Sequence, residues 1–322
     1  MKNFNKDDFD PKEAREARKA ELEEISKKLE EGVLNVYEGD NYKEYLKFCS
    51  KLPRYSINNQ ILIMMQRPDA TMCQSFNAWK SMGRTIKKGE KGIRILAPAP
   101  FKIEKERVKK DSFGQSVLDA NGEEVKEKVQ VMVNSFKPVS TFDVSQTEGD
   151  ELPKIGVEEL LSDVDGYETI LESFKEIIPV PVTFEDIKSG AKGYFNTEEN
   201  RIAIKEGMSE SQTIKTLIHE ASHQALHSKD SLSPIDKKTK EQKEVEAESV
   251  AFIVCSHLGI DTSDYSFGYL AGWSSGKEVR ELKDSLETIR KCASDFITKI
   301  DDLIMKKQKN MELSEETEEI DL

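Results

Sequence analysis

Hydrophobic positions along this chain change period several times, and each change marks a predicted element. A charged helix starts at Asp10-Pro11-Lys12-Glu13, where Asp10 suits the cap, Pro11 the first turn and Glu13 a capping box. It extends to about residue 31. Short helical patterns follow at 42–50, 56–66 and 75–82. Residues 93–98 (Ile-Arg-Ile-Leu-Ala-Pro) read as a strand, as do 129–133 and 139–144 beyond a turn at Asp119-Ala120-Asn121-Gly122. The polar, turn-rich run from Thr147 to Pro153 reads as part of a linker. A helix at 167–177 and strands at 180–184 and 201–205 come next. Ser209 and Gln212 then open a helix running to about His227, with Ile214, Leu217, Ile218, Ala221 and Ala225 as its apolar stripe. Late in the chain Val279, Leu282, Leu286, Ile289, Ala293, Phe296, Ile300 and Leu303 alternate by three and four. That spacing fits a coiled-coil seam, but a long helix packed along its own domain is the expectation. The fold class is α+β, in five segments. These are a charged helical extension (1–34), a mixed α/β domain (35–147), a linker (148–158), a second domain ending in a long helix (159–308) and an acidic tail (309–322) expected to be disordered.

The chemistry is concentrated in His219-Glu220-Ala221-Ser222-His223. Residues four apart share a helix face, so both imidazoles can reach one metal ion while the glutamate sits beside it. At about 100° per residue the two rings project away from the apolar stripe, which excludes a pair of core histidines. The chain has four histidines (His219, His223, His227, His257), and all fall in this region. Catalytic zinc takes three protein ligands and keeps a fourth position for water. The helix that includes Glu244, Glu246 and Glu248 offers the third. Glu244 and Glu248 share a face with Ala247, Ala251 and Cys255, and Glu246 points the other way. Glu244 is assigned as ligand and Glu248 as its support through a histidine's other ring nitrogen, with the reverse assignment left open. Glu220 is the expected general base. Tyr265 or Tyr269 could donate to a developing oxyanion, although packing is the commoner role for such tyrosines.

The net charge of −13 argues against indiscriminate nucleic-acid binding. Its distribution changes the picture. Between Trp79 and Arg94 lie Lys80, Arg84, Lys87, Lys88, Lys91 and Arg94 against the single acid Glu90. Cations for phosphates and aromatic rings for bases are how proteins hold single strands without reading sequence, and Trp79 and Phe76 lie one helical turn apart. Tyr55-Ser56-Ile57-Asn58-Asn59-Gln60 clusters further hydrogen-bonding groups just upstream. The competing reading is a solvated lysine-rich loop with its aromatics in the core. The four cysteines (Cys49, Cys73, Cys255, Cys292) include no C-x-x-C pair and fit reduced thiols. The polar N-terminus lacks a signal-peptide pattern, and no apolar run reaches the ~18 residues of a membrane span. A soluble, cytoplasmic protein is expected.

The segment from Tyr55-Ser56-Ile57-Asn58-Asn59-Gln60 through Pro68-Asp69-Ala70-Thr71, Trp79, Gly83-Arg84 and Lys87-Lys88-Gly89-Glu90-Lys91-Gly92-Ile93 resembles the N-terminal domain of ArdC-type antirestriction proteins. The second domain is similar to the zincin-like metallopeptidase domain that accompanies it, through His219–His223 and Glu244–Glu248. The resemblance implies a protein of a conjugative or other mobile element that binds single-stranded DNA and protects transferred DNA from host restriction. It places Asn58, Asn59, Gln60, Trp79, Arg84, Lys87, Lys88 and Lys91 near DNA. It also implies Zn²⁺ at His219, His223 and Glu244, with a protein or peptide as substrate and no membrane partner. Two alternatives stay open. One is a regulatory peptidase resembling the ImmA/IrrE type that cleaves a repressor. The other is a DNA-protection factor whose zinc is structural.

Overall fold

A computed structural model of the chain describes residues 11–119, 121–152, 164–228, 238–263, 265, 267 and 270–320. Its first half contains α1 (Pro11–Val36), α2 (Asn41–Lys51), α3 (Ile57–Gln66), β1 (Cys73–Gln74), α4 (Phe76–Ser81), β2 (Arg84–Ile86) and β3 (Ile93–Pro98), then β4 (Phe101–Val108), β5 (Lys126–Val133), β6 (Phe136–Asp143) and β7 (Thr147–Gly149). The second half contains α5 (Val164–Ile177), β8 (Val182–Glu185), β9 (Gly193–Asn196), β10 (Arg201–Lys205), α6 (Glu210–His227), α7 (Lys240–His257), α8 (Leu270–Ser274) and α9 (Val279–Ile320). The architecture is α+β, strand-rich early and helical late, and ends in a long helix.

Two compact units emerge from packing. One joins the chain up to residue 26 with 94–140, and the other joins 27–93 with 141–322. In the first, β4 and β5 form an antiparallel hairpin from Phe101↔Val133 to Val108↔Lys126. Arg94 ties β3 to α1 through Glu21 at 2.6 Å. In the second, β2 pairs with β7 (Arg84↔Gly149), so the polar run at 147–149 is a strand and not the start of a linker. Of the linker read at 148–158, residues 153–158 lie outside the described residues. Within the same unit α2 meets α7, with Tyr42 Oη 2.8 Å from Ser249 Oγ. A three-stranded sheet of order β8-β10-β9 leaves β9 on an edge.

The apolar stripe of α9 packs along its own unit. Leu282, Leu286, Ile289, Ala293, Phe296 and Ile300 are buried as spaced, but the next buried apolar position is Ile304 and not Leu303. A straight helix has 3.6 residues per turn, so a strict seven-residue repeat drifts off its face. The helix continues to Ile320, so the stretch read as a disordered tail from 309 is helical that far. No helix among the described residues is long and apolar enough to cross a membrane.

His257 joins three of these helices. From the end of α7 its Nδ1 lies 3.1 Å from the Ser50 carbonyl at α2, and its Nε2 lies 3.0 Å from Asp301 Oδ1 on α9. Both partners are acceptors, so both ring nitrogens donate and the ring is an imidazolium. Burial works against that charge, but the hydrogen bond and charge of Asp301 and the Ser50 carbonyl outweigh it and raise the pKa. A raised folded pKa stabilises below the unfolded value of ~6.5, and the contribution is lost as pH rises through the folded value. The melting temperature is therefore expected to drop as pH rises from about 6.5 through the raised folded value. Asp301→Asn should flatten that drop, and a variant with the wild-type slope excludes the pair as its source.

Candidate metal centre

Ser209 starts α6 by accepting a hydrogen bond from the Gln212 amide, and Thr239 starts α7 in the same way with Gln242. Ile214, Leu217, Ile218 and Ala221 bury one side of α6. His219 and His223 leave it on another, half-exposed side. α7 packs through Val245, Ala247, Val250, Ala251 and Val254, and small residues among these allow close approach. Glu244 stands one residue before this run.

These two helices bring three donors to one place. His219 Nε2 and His223 Nε2 are 3.1 Å apart, and each is 3.6 Å from Glu244 Oε2. Ligands at about 2.0–2.1 Å from a tetrahedral zinc would be about 3.3 Å from one another, which these edges bracket. The two Nε2 atoms face each other with a carboxylate oxygen equidistant from both, a donor set that fits a divalent cation. The grouping is the single one of its kind among the described residues.

Glu220 lies in the wall of the site, 8% exposed. Burial raises its pKa against the pull of His219 and His223, and the backbone N–H of Phe195 donates to its carboxylate. Glu244 is held well below the usual carboxylate range by the two imidazoles. Glu248 is pushed up to about 6 by burial, opposed by His219 and assisted by Glu244. It is not one of the three donors, and no hydrogen bond from it to a ring occurs among the described residues. Tyr265 lines the adjoining cleft, and Tyr269 lies outside the described residues.

The cleft is about 370 Å³ and is lined by Lys192, Gly193, Gln212, Lys215, Thr216, His219, Glu220, Glu248 and Tyr265. β9 forms part of its rim. The Lys192 carbonyl accepts from the Lys205 amide, and Gly193 stands opposite Ile204. By antiparallel alternation the N–H and C=O groups of Gly193 and Phe195 therefore point away from β10. A Cβ at Gly193 would come within 2.7 Å of Thr216 Cγ2 and 2.9 Å of the Ala203 carbonyl, so only glycine lets the strand pass here.

Three features of this region have no signal in sequence reading. β9 is a four-residue strand with no alternation to betray it. Glu246, on the opposite side of α7, is fully buried and accepts from Lys238 at 2.8 Å, from Gln242 and from Ser285 of α9. His227 lies 3.6 Å from that carboxylate, and burial pushes its pKa down to about 3, so it is neutral.

The residues expected near DNA divide into two groups. Trp79 has 0% exposure and donates through Nε1 to the Phe142 carbonyl at 2.8 Å, so no face remains for a base. Gln60 is also fully enclosed, bonded to the Leu52 carbonyl, Tyr45 and Cys49. Arg84 is spent on Thr147 and the Asp150 carbonyl, joining β2 to β7. Asn58 buries Oδ1 with no partner among the described residues, and the backbone amide of Asn59 donates to Ser56 Oγ at the start of α3. Trp79, Gln60 and Arg84 thus help to build the domain. Lys87 is exposed but donates to the Ser145 carbonyl at 2.9 Å. Lys88 and Lys91 are exposed and pair with no acid among the described residues. Phe76, not Trp79, is the open aromatic, 55% exposed, with Lys80 also exposed one turn later.

Two histidines four apart, a carboxylate from the next helix and a buried glutamate between the histidines define a metallopeptidase-like domain. Comparison with known proteins agrees and extends the assignment. Residues 176–265 match the IrrE N-terminal-like domain of peptidase family M78, and residues 15–142 match the N-terminal domain of anti-restriction factor ArdC. The chain thus joins an ArdC-type domain to an IrrE-like domain. The ArdC-type match begins at residue 15, ahead of residue 35 where sequence reading starts that domain. The chain is similar to the uncharacterized protein pXO2-81 of Bacillus anthracis, at 28% identity over 97% of this chain and 56% of the relative. It is similar to DNA primase TraC of Escherichia coli at 25% identity, over 78% of this chain and 17% of the relative. It thus spans about half of the first relative and a smaller share of the second. Among solved structures it is similar to metal-free antirestriction protein ArdC from the R388 plasmid, at 22% identity and TM-score 0.44, over 80% of this chain and 86% of that one. The Mn(II)-bound form of the same protein matches with 18% identity and TM-score 0.43, over 78% and 84%.

Proposed function

We propose that this chain holds single-stranded DNA through its ArdC-type domain and hydrolyses a peptide bond at a zinc ion in its IrrE-like domain. Its setting is the cytoplasm of a cell receiving a mobile element, where it protects transferred DNA from restriction. The observation that carries the catalytic half is the convergence of His219, His223 and Glu244 beside a Glu220 that is buried and hydrogen-bonded. A purely structural metal has no use for that glutamate. When bound, zinc supplies Lewis acidity and lowers the pKa of a water in its open position. Glu220 takes the proton of that water and returns it to the leaving amine, a role suited to a carboxylate whose pKa is raised. The Phe195 amide fixes the carboxylate's position. The outward N–H and C=O of Gly193 and the Phe195 carbonyl offer an extended peptide a strand edge to pair with. Tyr265 stands on the cleft wall to donate to the developing oxyanion, and Glu248 adds negative charge beside His219.

For DNA the open groups are Lys80, Lys87, Lys88, Lys91 and Phe76. Lys88→Ala with Lys91→Ala is expected to weaken oligonucleotide binding uniformly across sequences. It should also flatten the slope of log affinity against log salt by about 1.4, two single-strand phosphate contacts at ~0.7 each. An unchanged slope removes this loop from the interface. The IrrE-like match favours a second reading, a regulatory peptidase that cleaves a repressor. In that case the full chain shows no affinity for single strands even at low salt, while hydrolysis persists.

A further inference from the structure

One wall of the cleft is held by a side chain from the ArdC-type half of the chain. Tyr265 lines the cleft, and it follows α7 on a turn outside any helix or strand. The Tyr265 amide donates to the Thr262 carbonyl at 3.2 Å, and the Ser263 amide donates to Asp261 Oδ1 at 2.9 Å. These short-range bonds shape the turn, and contacts from other elements place it. The Tyr265 ring meets Phe252 of α7 edge-on at 5.5 Å and carries the Lys215 ammonium at 5.6 Å. The backbone of the turn is held from α2, within the residues that match the ArdC-type domain. There Lys43 Nζ donates to the carbonyls of Ser263 and Tyr265, each at 3.2 Å. The same ammonium lies 5.8 Å from the centre of the Phe252 ring. Asp261, held low first by the Ser263 amide, also feels the charges of Lys215 and Lys43. Tyr42, the residue before Lys43, is buried with its Oη 2.8 Å from Ser249 Oγ of α7, so α2 offers Lys43 from a fixed position.

We propose that Lys43 is a positioning residue for the peptidase cleft: it clamps the turn that carries Tyr265, so the IrrE-like half depends on the ArdC-type half for one wall of its site. The inference rests on the peptidase reading above and adds a residue to it from outside the matched peptidase domain. A hydrogen bond from a charged donor is stronger than one between neutral groups, and here one ammonium serves two carbonyls of the same turn. Losing it frees both carbonyls at once, and the Tyr265 ring then stands on backbone that can shift.

The test uses the zinc-loaded full chain. Lys43→Met keeps the aliphatic stem and removes the ammonium. It is expected to retain its metal ion and to lower kcat/KM by about 10-fold to 10²-fold, the scale of a misplacement of ~1 Å. Lys43→Arg, whose guanidinium can donate to both carbonyls, should restore most of the rate. Tyr265→Ala should cost at least as much as Lys43→Met, and combining the two should cost little more, because both act through one wall. Hydrogen exchange at the Ser263 and Tyr265 amides reads the clamp without turnover. It should quicken in Lys43→Met and keep its wild-type rate in Lys43→Arg. Wild-type kcat/KM in Lys43→Met, losses that multiply in the double variant, or unchanged exchange overturns the proposal. Exchange that quickens as expected in a protein whose wild type cuts no peptide would leave the clamp standing and remove the peptidase reading instead.

Discussion

Glu220→Gln is expected to retain one metal ion per chain and to lose peptide hydrolysis by about 10²–10⁴-fold, the range a positioned general base contributes. The glutamine amide fills the same space and its carbonyl can still accept from the Phe195 amide, so the wall of the site keeps its shape. It cannot take a proton. Metal analysis beside a peptide assay checks both halves at once. Hydrolysis that survives at the wild-type rate takes Glu220 out of the mechanism. Loss of metal together with activity would make it a ligand, which its place outside the three converging donors argues against.

Trp79→Ala is the substitution with the largest expected cost in stability. The side chain is fully buried and its Nε1–H is bonded to the Phe142 carbonyl at 2.8 Å. Truncation leaves a large cavity and strands that carbonyl, for a loss of about 3–5 kcal/mol. Urea unfolding measures it. Phe76→Ala removes an exposed ring from the same helix and should change stability little while weakening single-strand binding, since base stacking on one aromatic is worth about 1–3 kcal/mol. If Trp79→Ala folds with wild-type stability and loses only DNA binding, the packing account of this region is wrong.

That pair of aromatics shows where sequence reading runs out. Phe76 and Trp79 lie one turn apart on a six-residue helix, and nothing local says which of them faces the core. The answer depends on β6, whose carbonyl at Phe142 comes from more than sixty residues away. Arg84 is a similar case. It looks like a free cation in a basic loop and instead holds β2 to β7. The histidine motif is the opposite case, because helical periodicity alone puts two rings on one face. Glu244 was reachable because a carboxylate on an amphipathic helix soon after is a short-range pattern. The strand that positions Glu220 was not, since four half-buried residues carry no period and their role lies in an edge amide. The buried Glu246 with Ser285, and His257 with Asp301, likewise join distant segments.

Metal content of four purified proteins tests the central claim most directly. Wild type and Glu248→Ala are expected to hold one divalent ion per chain, whereas His223→Ala and Glu244→Ala are expected to hold essentially none after dialysis. An ion retained by Glu244→Ala and lost from Glu248→Ala would contradict the site described for α6 and α7.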